Sequence, residues 1–267
     1  MSPDLAERAE RLRALHQGPA PLILANAWDV ASALAVERAG ASAIATTSGG
    51  VASSLGYPDG EAIPAEEMLA AVARIAAAVE LPVTADLEAG YGLDPQALVE
   101  GMLAAGAVGM NLEDTDRSLD PLGLVDGERH AERLAAVRQA ASDVGVPVVI
   151  NARIDVFLST SGSGFHQGKQ EGLLTEALTR AQAYLEAGAD CVFPILLWEA
   201  DTLGTFASEA PGPVNVLAIP RAPSLAELGS LGVARVSYGS LLHRDLMEKF
   251  SRFLESLAAG RPERPNG

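Results

Sequence analysis

The chain has 267 residues, a length that suits one large domain better than two small ones. Its 35 acidic residues outnumber 19 basic ones, and the formal net charge of −16 argues against nucleic acid or an anionic membrane as a partner. The single cysteine, Cys191, excludes an internal disulfide and stands in an apolar run, which predicts a buried, unreactive thiol in a reducing compartment.

Residues 2–17 predict an amphipathic helix that is too charged for a signal peptide. No stretch of the chain reaches the roughly 18 uninterrupted apolar residues that a membrane span needs. We therefore expect a cytoplasmic protein.

From about residue 20 onwards, short apolar segments alternate with helical patterns, and glycine or proline stands at most of the junctions. The predicted strands lie near 21–26, 43–47, 82–86, 109–113, 147–152, 191–194, 214–218 and 234–237. Helices are predicted at 65–79, 95–105, 129–142 and 173–187, and a helical tail at 240–259.

Continuously apolar strands that alternate with helices predict a parallel sheet covered on both faces. Eight such units predict an α/β fold, a closed (β/α)₈ TIM barrel, as a single domain over 1–267 with the barrel at about 20–245. The alternative is an open, doubly wound sheet. It is disfavoured because NAWDVAS, and no glycine-rich phosphate motif, follows the first strand.

Polar residues collect at the carboxyl ends of the predicted strands, whereas the opposite ends are mostly Gly, Pro and Ala. In chain order they are Asn26, Asp29, Thr47, Ser48, Gly49, Gly50, Asp86, Glu88, Glu113, Asp114, Arg153, Asp155, Asn215, Tyr238, Gly239 and Ser240. Because barrel active sites lie at the carboxyl ends of the strands, this asymmetry predicts an active site at that mouth.

Three carboxylates fall on neighbouring strands of the predicted barrel. Asp86 and Glu88 stand two residues apart, which on a strand gives both side chains one direction, and Glu113 enters from the next strand. Clustered ionised acids are costly unless a cation holds them, and an all-oxygen set without histidine favours Mg²⁺ or Mn²⁺ over zinc. The alternative is a solvated acidic rim that caps the following helices.

Other residues at this mouth leave two interpretations open. Arg153 could pair with Asp155 or clamp a carboxylate or phosphonate of a substrate. The stretch TTSGG, 46–50, could form an anion-binding nest or a flexible turn.

No lysine lies at a strand end, which disfavours Schiff-base chemistry. Histidine is equally scarce there, and His166 lies in a glycine-rich loop at 161–172 that predicts a disordered connection.

Five ordered motifs carry a family resemblance: NAWDVASALAVERAGASAIATTSGG, SLGYPDGE, ADLEAGYG, NLEDT and NARIDVF. Over about residues 20–245 the chain resembles the isocitrate lyase / phosphoenolpyruvate mutase superfamily, and most closely its compact mutase-like and 2-methylisocitrate-lyase-like members. The resemblance implies a (β/α)₈ barrel whose last helix is exchanged between subunits of a dimer or tetramer.

The resemblance also implies roles for individual residues. Asp86 would bind Mg²⁺ directly, and Glu88 and Glu113 would hold it largely through water. The substrate-binding residues would be Ser48, Gly49, Arg153 and Asn215, and the catalytic residues Asp59 and Arg153.

The loop that selects the reaction departs from the family. Residues 113–130 read EDTDRSLDPLGLVDGERH, without the lysine, cysteine and histidine motif of the carbon–carbon lyases or the lysine and asparagine gate of the mutases. In NARID, Ile154 stands where threonine is usual. The scaffold and metal site therefore carry over, and the residue that selects the reaction does not.

The expected function is that of a Mg²⁺-dependent lyase acting on a small 2-oxo or 2-hydroxy acid, by carbon–carbon cleavage or decarboxylation through a stabilised enolate. The first alternative is phosphorus–carbon chemistry of the phosphoenolpyruvate mutase or phosphonopyruvate hydrolase kind. A second alternative is a non-catalytic metabolite-binding barrel. A sugar-isomerase barrel that binds phosphate at SYGS, 237–240, would leave the three carboxylates unexplained.

Overall fold

The computed structural model describes residues 3–117, 123–160 and 170–260. Its strands are Leu22–Leu24 (β1), Asn26–Ala27 (β2), Ile44–Thr46 (β3), Val83–Asp86 (β4), Gly109–Glu113 (β5), Thr115–Asp116 (β6), Gly123–Leu124 (β7), Val149–Ile154 (β8), Cys191–Pro194 (β9), Asn215–Leu217 (β10) and Arg235–Ser237 (β11). Its α-helices are Pro3–Leu15 (α1), Val30–Arg38 (α2), Ser48–Leu55 (α3), Ala65–Ala77 (α4), Pro95–Ala104 (α5), Gly127–Asp143 (α6), Leu174–Glu186 (α7), Ala200–Glu209 (α8), Leu225–Ser230 (α9) and Leu241–Ala258 (α10). Short 3₁₀ turns cover Val156–Thr160 and Glu171–Leu173.

The parallel strands pair around a ring. One run of pairing follows the order β2-β3-β4-β5-β8-β9, and a second follows β1-β11-β10. The runs meet at two places, because β1 leads into β2 across Ala25 and a parallel bridge joins Val192 to Val214. First and last strands are thus neighbours, so the fold is the predicted (β/α)₈ barrel and the open-sheet alternative is wrong.

The predicted elements agree closely with the observed ones. The strand predicted at 109–113 is β5 with the same bounds, and the helix predicted at 65–79 is α4 at Ala65–Ala77. The sequence patterns gave no sign of the antiparallel β6–β7 pair. Each of these strands has two residues, too few to display a periodicity.

Helix α1 covers the amino-terminal side of the barrel. Arg13 donates at 3.2 Å to the carbonyls of Pro147 and Val148 and at 2.9 Å to Asp190, all of which precede β8 or β9. Leu12 is fully buried, and a Cβ added to Gly109 would lie 2.8 Å from its Cδ2. This end of the barrel is therefore filled, which leaves the carboxyl end for a site.

Cys191 is buried inside the barrel, and burial raises the pKa of its thiol to about 12. The prediction of an unreactive thiol is confirmed, because the nucleophilic thiolate is scarce at neutral pH.

Helix α10 presents a row of apolar side chains to the outside of this chain: Leu246, Met247, Phe250, Leu254 and Leu257, all between 44% and 52% exposed. Its one buried residue is His243, whose ring meets Trp28 edge-on with centroids 5.0 Å apart. None of the described helices is long and apolar enough to cross a membrane.

Candidate active site

Asp86 ends β4 and is held on both sides of its carboxylate. Ser48, the first residue of α3, donates to Oδ2 through its backbone N–H at 2.9 Å and its hydroxyl at 2.8 Å. Asn111 donates from Nδ2 to Oδ1 at 3.4 Å. The anion nest proposed at 46–50 therefore binds a carboxylate of the chain itself, and the described partners of Asp86 are all neutral donors.

Glu88 lies just beyond the strand, not on it as the sequence interpretation required. Its backbone is left-handed, with φ of 48°, and Gly90, Tyr91 and Gly92 also have positive φ. Such a conformation costs a non-glycine residue about 1–2 kcal/mol. It turns the side chain inward, where it is 2% exposed, and Tyr91 donates its hydroxyl at 2.7 Å to Oε1.

Glu113 ends β5 beside Arg153, its register partner on β8. Arg153 Nη1 lies 2.5 Å from Glu113 Oε2. Burial raises the pKa of Glu113 above its ordinary value, although Arg153 and Arg117 oppose the shift. For Glu88 the dominant cause is also burial, and its pKa rises to about 7.

Arg153 makes the intramolecular pair that the sequence allowed. Its Nε donates to Asp155 Oδ1 at 2.6 Å and its Nη2 to Oδ2 at 2.9 Å, while Nη1 faces Glu113. Asp155 is fixed in turn by the Thr115 hydroxyl. The guanidinium therefore stands at the acid cluster, and a substrate contact stays a prediction.

Arg117 also belongs to the site, and the sequence patterns did not predict it. Its Nη2 donates to Glu88 Oε2 at 3.2 Å and to Glu113 Oε1, so one guanidinium bridges two of the three acids. It also touches the GYPDG loop, since a Cβ added to Gly60 would lie 3.0 Å from its Nη1. The feature of the sequence that could have indicated Arg117 is its position in EDTDR, where it is the one basic residue and follows Glu113 by four residues.

Asp59 and Gly49 lie together. A Cβ added to Gly49 would be 2.8 Å from Asp59 Oδ2, so glycine leaves the room that the carboxylate occupies. The Asp59 charge acts on Glu88, which puts this exposed loop residue at the edge of the acid cluster.

Asn215 is at the amino end of its strand and not at the carboxyl end, so that expectation is wrong. It begins β10, is fully buried, and its amide pairs with the Ser237 hydroxyl at 3.3 Å. It therefore lies two residues below the mouth, level with the start of β11.

The amides of Tyr238 and Gly239, part of the motif SYGS, both donate to Asn26 Oδ1, at 2.8 and 2.9 Å. These donors are engaged within the chain, which disfavours the phosphate site of a sugar isomerase. Asp114 is also structural, since it accepts from Arg180 at 2.9 Å and Tyr184 at 2.6 Å. His166 and most of the 161–172 loop lie outside the described residues.

The acid cluster of Asp86, Glu88 and Glu113 suits a hard cation, because its donors are all carboxylate oxygens. With the side chains as they stand, no set of three His, Cys, Asp or Glu residues in the described ranges is assembled to hold an ion. Arg117 and Arg153 bind two of the acids instead. The donor chemistry fits Mg²⁺, and the arginine pairs would have to open to admit it.

A cavity of about 620 Å³ opens beside the acid cluster, bordered by Glu113, Arg117 and Arg133. A slightly larger one, about 700 Å³, is lined by Trp198 and Arg221 but by none of the three acids. The first cavity adjoins the acid cluster through Glu113 and Arg117. The residues expected to bind the substrate, Ser48, Gly49 and Arg153, do not line it.

Fold and site together define a class, a (β/α)₈ barrel enzyme with acids and arginines at the carboxyl ends of its strands. The family model for phosphoenolpyruvate phosphomutase matches residues 12–258. The chain belongs to this family, within the phosphoenolpyruvate mutase / isocitrate lyase superfamily, whose members are lyases and mutases.

Individual relatives agree with that assignment. A Burkholderia cenocepacia structure described as a candidate phosphonomutase is 40% identical, with a TM-score of 0.85, over 94% of this chain and 99% of that one. The 2-methylisocitrate lyase of Escherichia coli is 31% identical over 82% of this chain and 73% of its own length. A phosphonopyruvate hydrolase in complex with oxalate and Mg²⁺ is 25% identical, with a TM-score of 0.81, over 95% of this chain and 87% of that one.

Proposed function

We propose that this protein is a Mg²⁺-dependent lyase that acts on a small 2-oxo or 2-hydroxy carboxylic acid, by carbon–carbon cleavage or decarboxylation. The observation that carries the proposal is the set of three buried carboxylates at the ends of β4 and β5, two of them bridged by Arg117. Buried acids of this kind are expensive to keep for structure alone.

Asp86, Glu88 and Glu113 would hold the metal ion. When bound, Mg²⁺ supplies a Lewis acid that stabilises negative charge developing on the 2-oxo oxygen of the substrate. The hydrolase relative that contains Mg²⁺ and oxalate, a small dicarboxylate, supports this choice of ion and ligand.

The chain's own groups would bind and orient the substrate. Arg153 presents a planar guanidinium that Asp155 and Glu113 fix in place, and this rigidity suits a substrate carboxylate. Ser48, which donates to Asp86, and Gly49, which lies beside Asp59, would contact the same end of the substrate. Asp59, held against Gly49, would take or give the proton at the carbon where the bond breaks.

Phosphorus–carbon chemistry is the second candidate. It is favoured by the family model and by the 40% identity to a candidate phosphonomutase. The loop after Glu113 lacks the lysine and asparagine gate of the mutases and also the lysine, cysteine and histidine motif of the carbon–carbon lyases. The lyase is ranked first because the 2-methylisocitrate lyase of Escherichia coli is similar to this chain over most of its length.

A substrate screen separates the candidates. The full chain with Mg²⁺ would be given methylisocitrate-type hydroxy acids, oxaloacetate and phosphonopyruvate, with pyruvate, phosphoenolpyruvate and inorganic phosphate measured as products. Pyruvate from a hydroxy acid, or from oxaloacetate with loss of carbon dioxide, supports the lyase. From phosphonopyruvate, either phosphoenolpyruvate or pyruvate with inorganic phosphate supports the alternative. A chain that binds Mg²⁺ and oxalate but converts no substrate would be a binding protein. Turnover that survives in Asp86→Ala or in excess EDTA would overturn the metal site.

A homodimer or homotetramer in the cytoplasm completes the proposal. The apolar row on α10, with Phe250 at 51% exposure, supports exchange of this helix between subunits. Light scattering of the wild type and of Phe250→Glu tests it. We expect the substitution to shift the mass towards the monomer, and a monomeric wild type would contradict the assembly.

A further inference from the structure

A guanidinium group lies buried in the barrel below the acid cluster. Arg235 begins β11 and is 1% exposed. Within the described ranges it makes no salt bridge, and its Nε and Nη1 have no hydrogen-bond partner. Burying a charge so poorly compensated costs free energy. This cost indicates that Arg235 has a functional role.

The hydrogen bond that Arg235 does make is to Asn111, whose Oδ1 lies 3.2 Å from Nη2. The same oxygen accepts from Asn151 Nδ2 at 2.8 Å. An arginine can only donate, so this contact requires the amide oxygen of Asn111 to face the barrel interior. The amide nitrogen must then face the opposite way, towards Asp86.

Asn111 and Asp86 are register neighbours on β5 and β4, whereas β11 lies across the ring. Arg235 therefore reaches over the barrel interior to set the orientation of a side chain on the far wall. A reversed amide would place oxygen against the Asp86 carboxylate and nitrogen against the guanidinium, two repulsive contacts in a buried place.

We propose that Arg235 is a positioning residue for Asp86: it orients Asn111, whose amide holds Oδ1 while Ser48 holds Oδ2, and so directs the carboxylate towards a divalent cation. This inference rests on the proposed function, because it takes Asp86 as a metal ligand. Groups that orient a metal ligand typically change metal affinity about 10- to 100-fold when they are removed.

Binding of Mn²⁺ to the full chain, followed by electron paramagnetic resonance, tests the relay. We expect Arg235→Met and Asn111→Ala each to raise the Mn²⁺ dissociation constant at least about tenfold. The double variant should bind Mn²⁺ no more weakly than the single variant with the larger loss of affinity, because both changes break the same connection. Arg235→Lys keeps a charged donor and should recover part of the affinity.

Thr84→Val is the matched control. Thr84 lies on β4, is 1% exposed, and its hydroxyl has no hydrogen-bond partner within the described residues. It is thus another buried polar side chain close to Asp86, and its removal should leave Mn²⁺ affinity at the wild-type value.

Wild-type affinity in Arg235→Met or Asn111→Ala, or additive losses in the double variant, would overturn the relay. If Arg235→Met does not fold, Asn111→Ala and Arg235→Lys decide the question in the same assay. Asp86→Ala distinguishes a failure of the relay from a failure of the metal site. Its loss of Mn²⁺ binding supports the metal site itself, and wild-type binding in this variant overturns the proposed function.

Discussion

Ser48 binds one carboxylate oxygen of Asp86 twice, through its backbone N–H at 2.9 Å and its hydroxyl at 2.8 Å. The two donors come from the start of α3 and aim Asp86 from the neighbouring strand unit. A hydrogen bond to a charged group contributes about 1.5–3 kcal/mol. The orientation of the expected metal ligand therefore depends on a residue of the TTSGG motif.

Ser48→Ala removes the hydroxyl and leaves the backbone donor. We expect Mg²⁺ affinity and kcat/KM to fall roughly 10- to 100-fold, the equivalent of one charged hydrogen bond. Calorimetric titration and steady-state kinetics measure the change. Ser53→Ala, at an exposed position of the same helix, is the control and should match the wild type. Equal behaviour of the two variants would contradict the role of Ser48.

Glu88 predicts a pH dependence. Burial raises its pKa to about 7, so its carboxylate becomes mostly ionised only as the pH passes that value. Mg²⁺ binds the ionised form, and its affinity should therefore increase from pH 6 to pH 8. Calorimetry across this range measures it. Glu88→Gln cannot ionise, and this step should disappear in that variant.

The same shift affects stability with the opposite sign. The pKa of Glu88 rises from its ordinary value of 4.5 to about 7 in the folded chain, so between pH 4.5 and pH 7 the folded state binds more protons than the unfolded state. The free energy of unfolding without metal should therefore fall as pH rises from about 4.5 to 7. Denaturation in EDTA tests this, and an equal slope in Glu88→Gln would refute it.

Arg117→Gln removes the cation that bridges Glu88 and Glu113. Leaving buried groups without partners costs about 1–3 kcal/mol, so the melting temperature without metal should fall by several degrees. Saturating Mg²⁺ should reduce the difference in melting temperature between the variant and the wild type, because the ion would neutralise the same carboxylates. Arg129→Gln, at an exposed position of α6, is the control for lost charge. A deficit that Mg²⁺ leaves unchanged would count against a shared site.

Gly49→Ala tests the position of Asp59. The new Cβ would lie 2.8 Å from Asp59 Oδ2, so the exposed carboxylate must move while the helix tolerates alanine. Misplacing a catalytic group should reduce kcat roughly 10- to 100-fold. Metal affinity should stay at the wild-type value. Gly172→Ala, where a Cβ meets nothing within 4 Å, is the control. Unchanged kcat would remove Asp59 from the mechanism.

Much of the barrel could be predicted because its signals are local. Helices stop at glycines that adopt positive φ, such as Gly106 at 81° and Gly188 at 103°, and the apolar strands follow at once. Helix termination of this kind depends on the conformational freedom of single glycine residues. The bounds of β5 could therefore be predicted without any knowledge of its neighbours.

Site residues that end a strand could be predicted from the sequence. How far a residue lies below the mouth of the barrel, and which way its side chain points, could not. Asp86 and Glu113 end their strands, as predicted. Asn215 lies lower because β10 begins at that residue, and strand stagger in a barrel has no sequence signature. Glu88 faces the cluster through a left-handed backbone and not through strand alternation.

By itself the sequence determined the strand–helix order, the polar mouth and the three acids, since each follows from periodicity or from position relative to a strand end. Only the tertiary structure decided what neutralises those acids. Arg117 binds Glu113, four residues before it, but also Glu88, which follows another strand. Arg153 binds Glu113 from the neighbouring strand, and Arg235 donates to Asn111 across the barrel. Ion pairs and amide orientations depend on distances in space, and those exist only once the ring of strands is assembled.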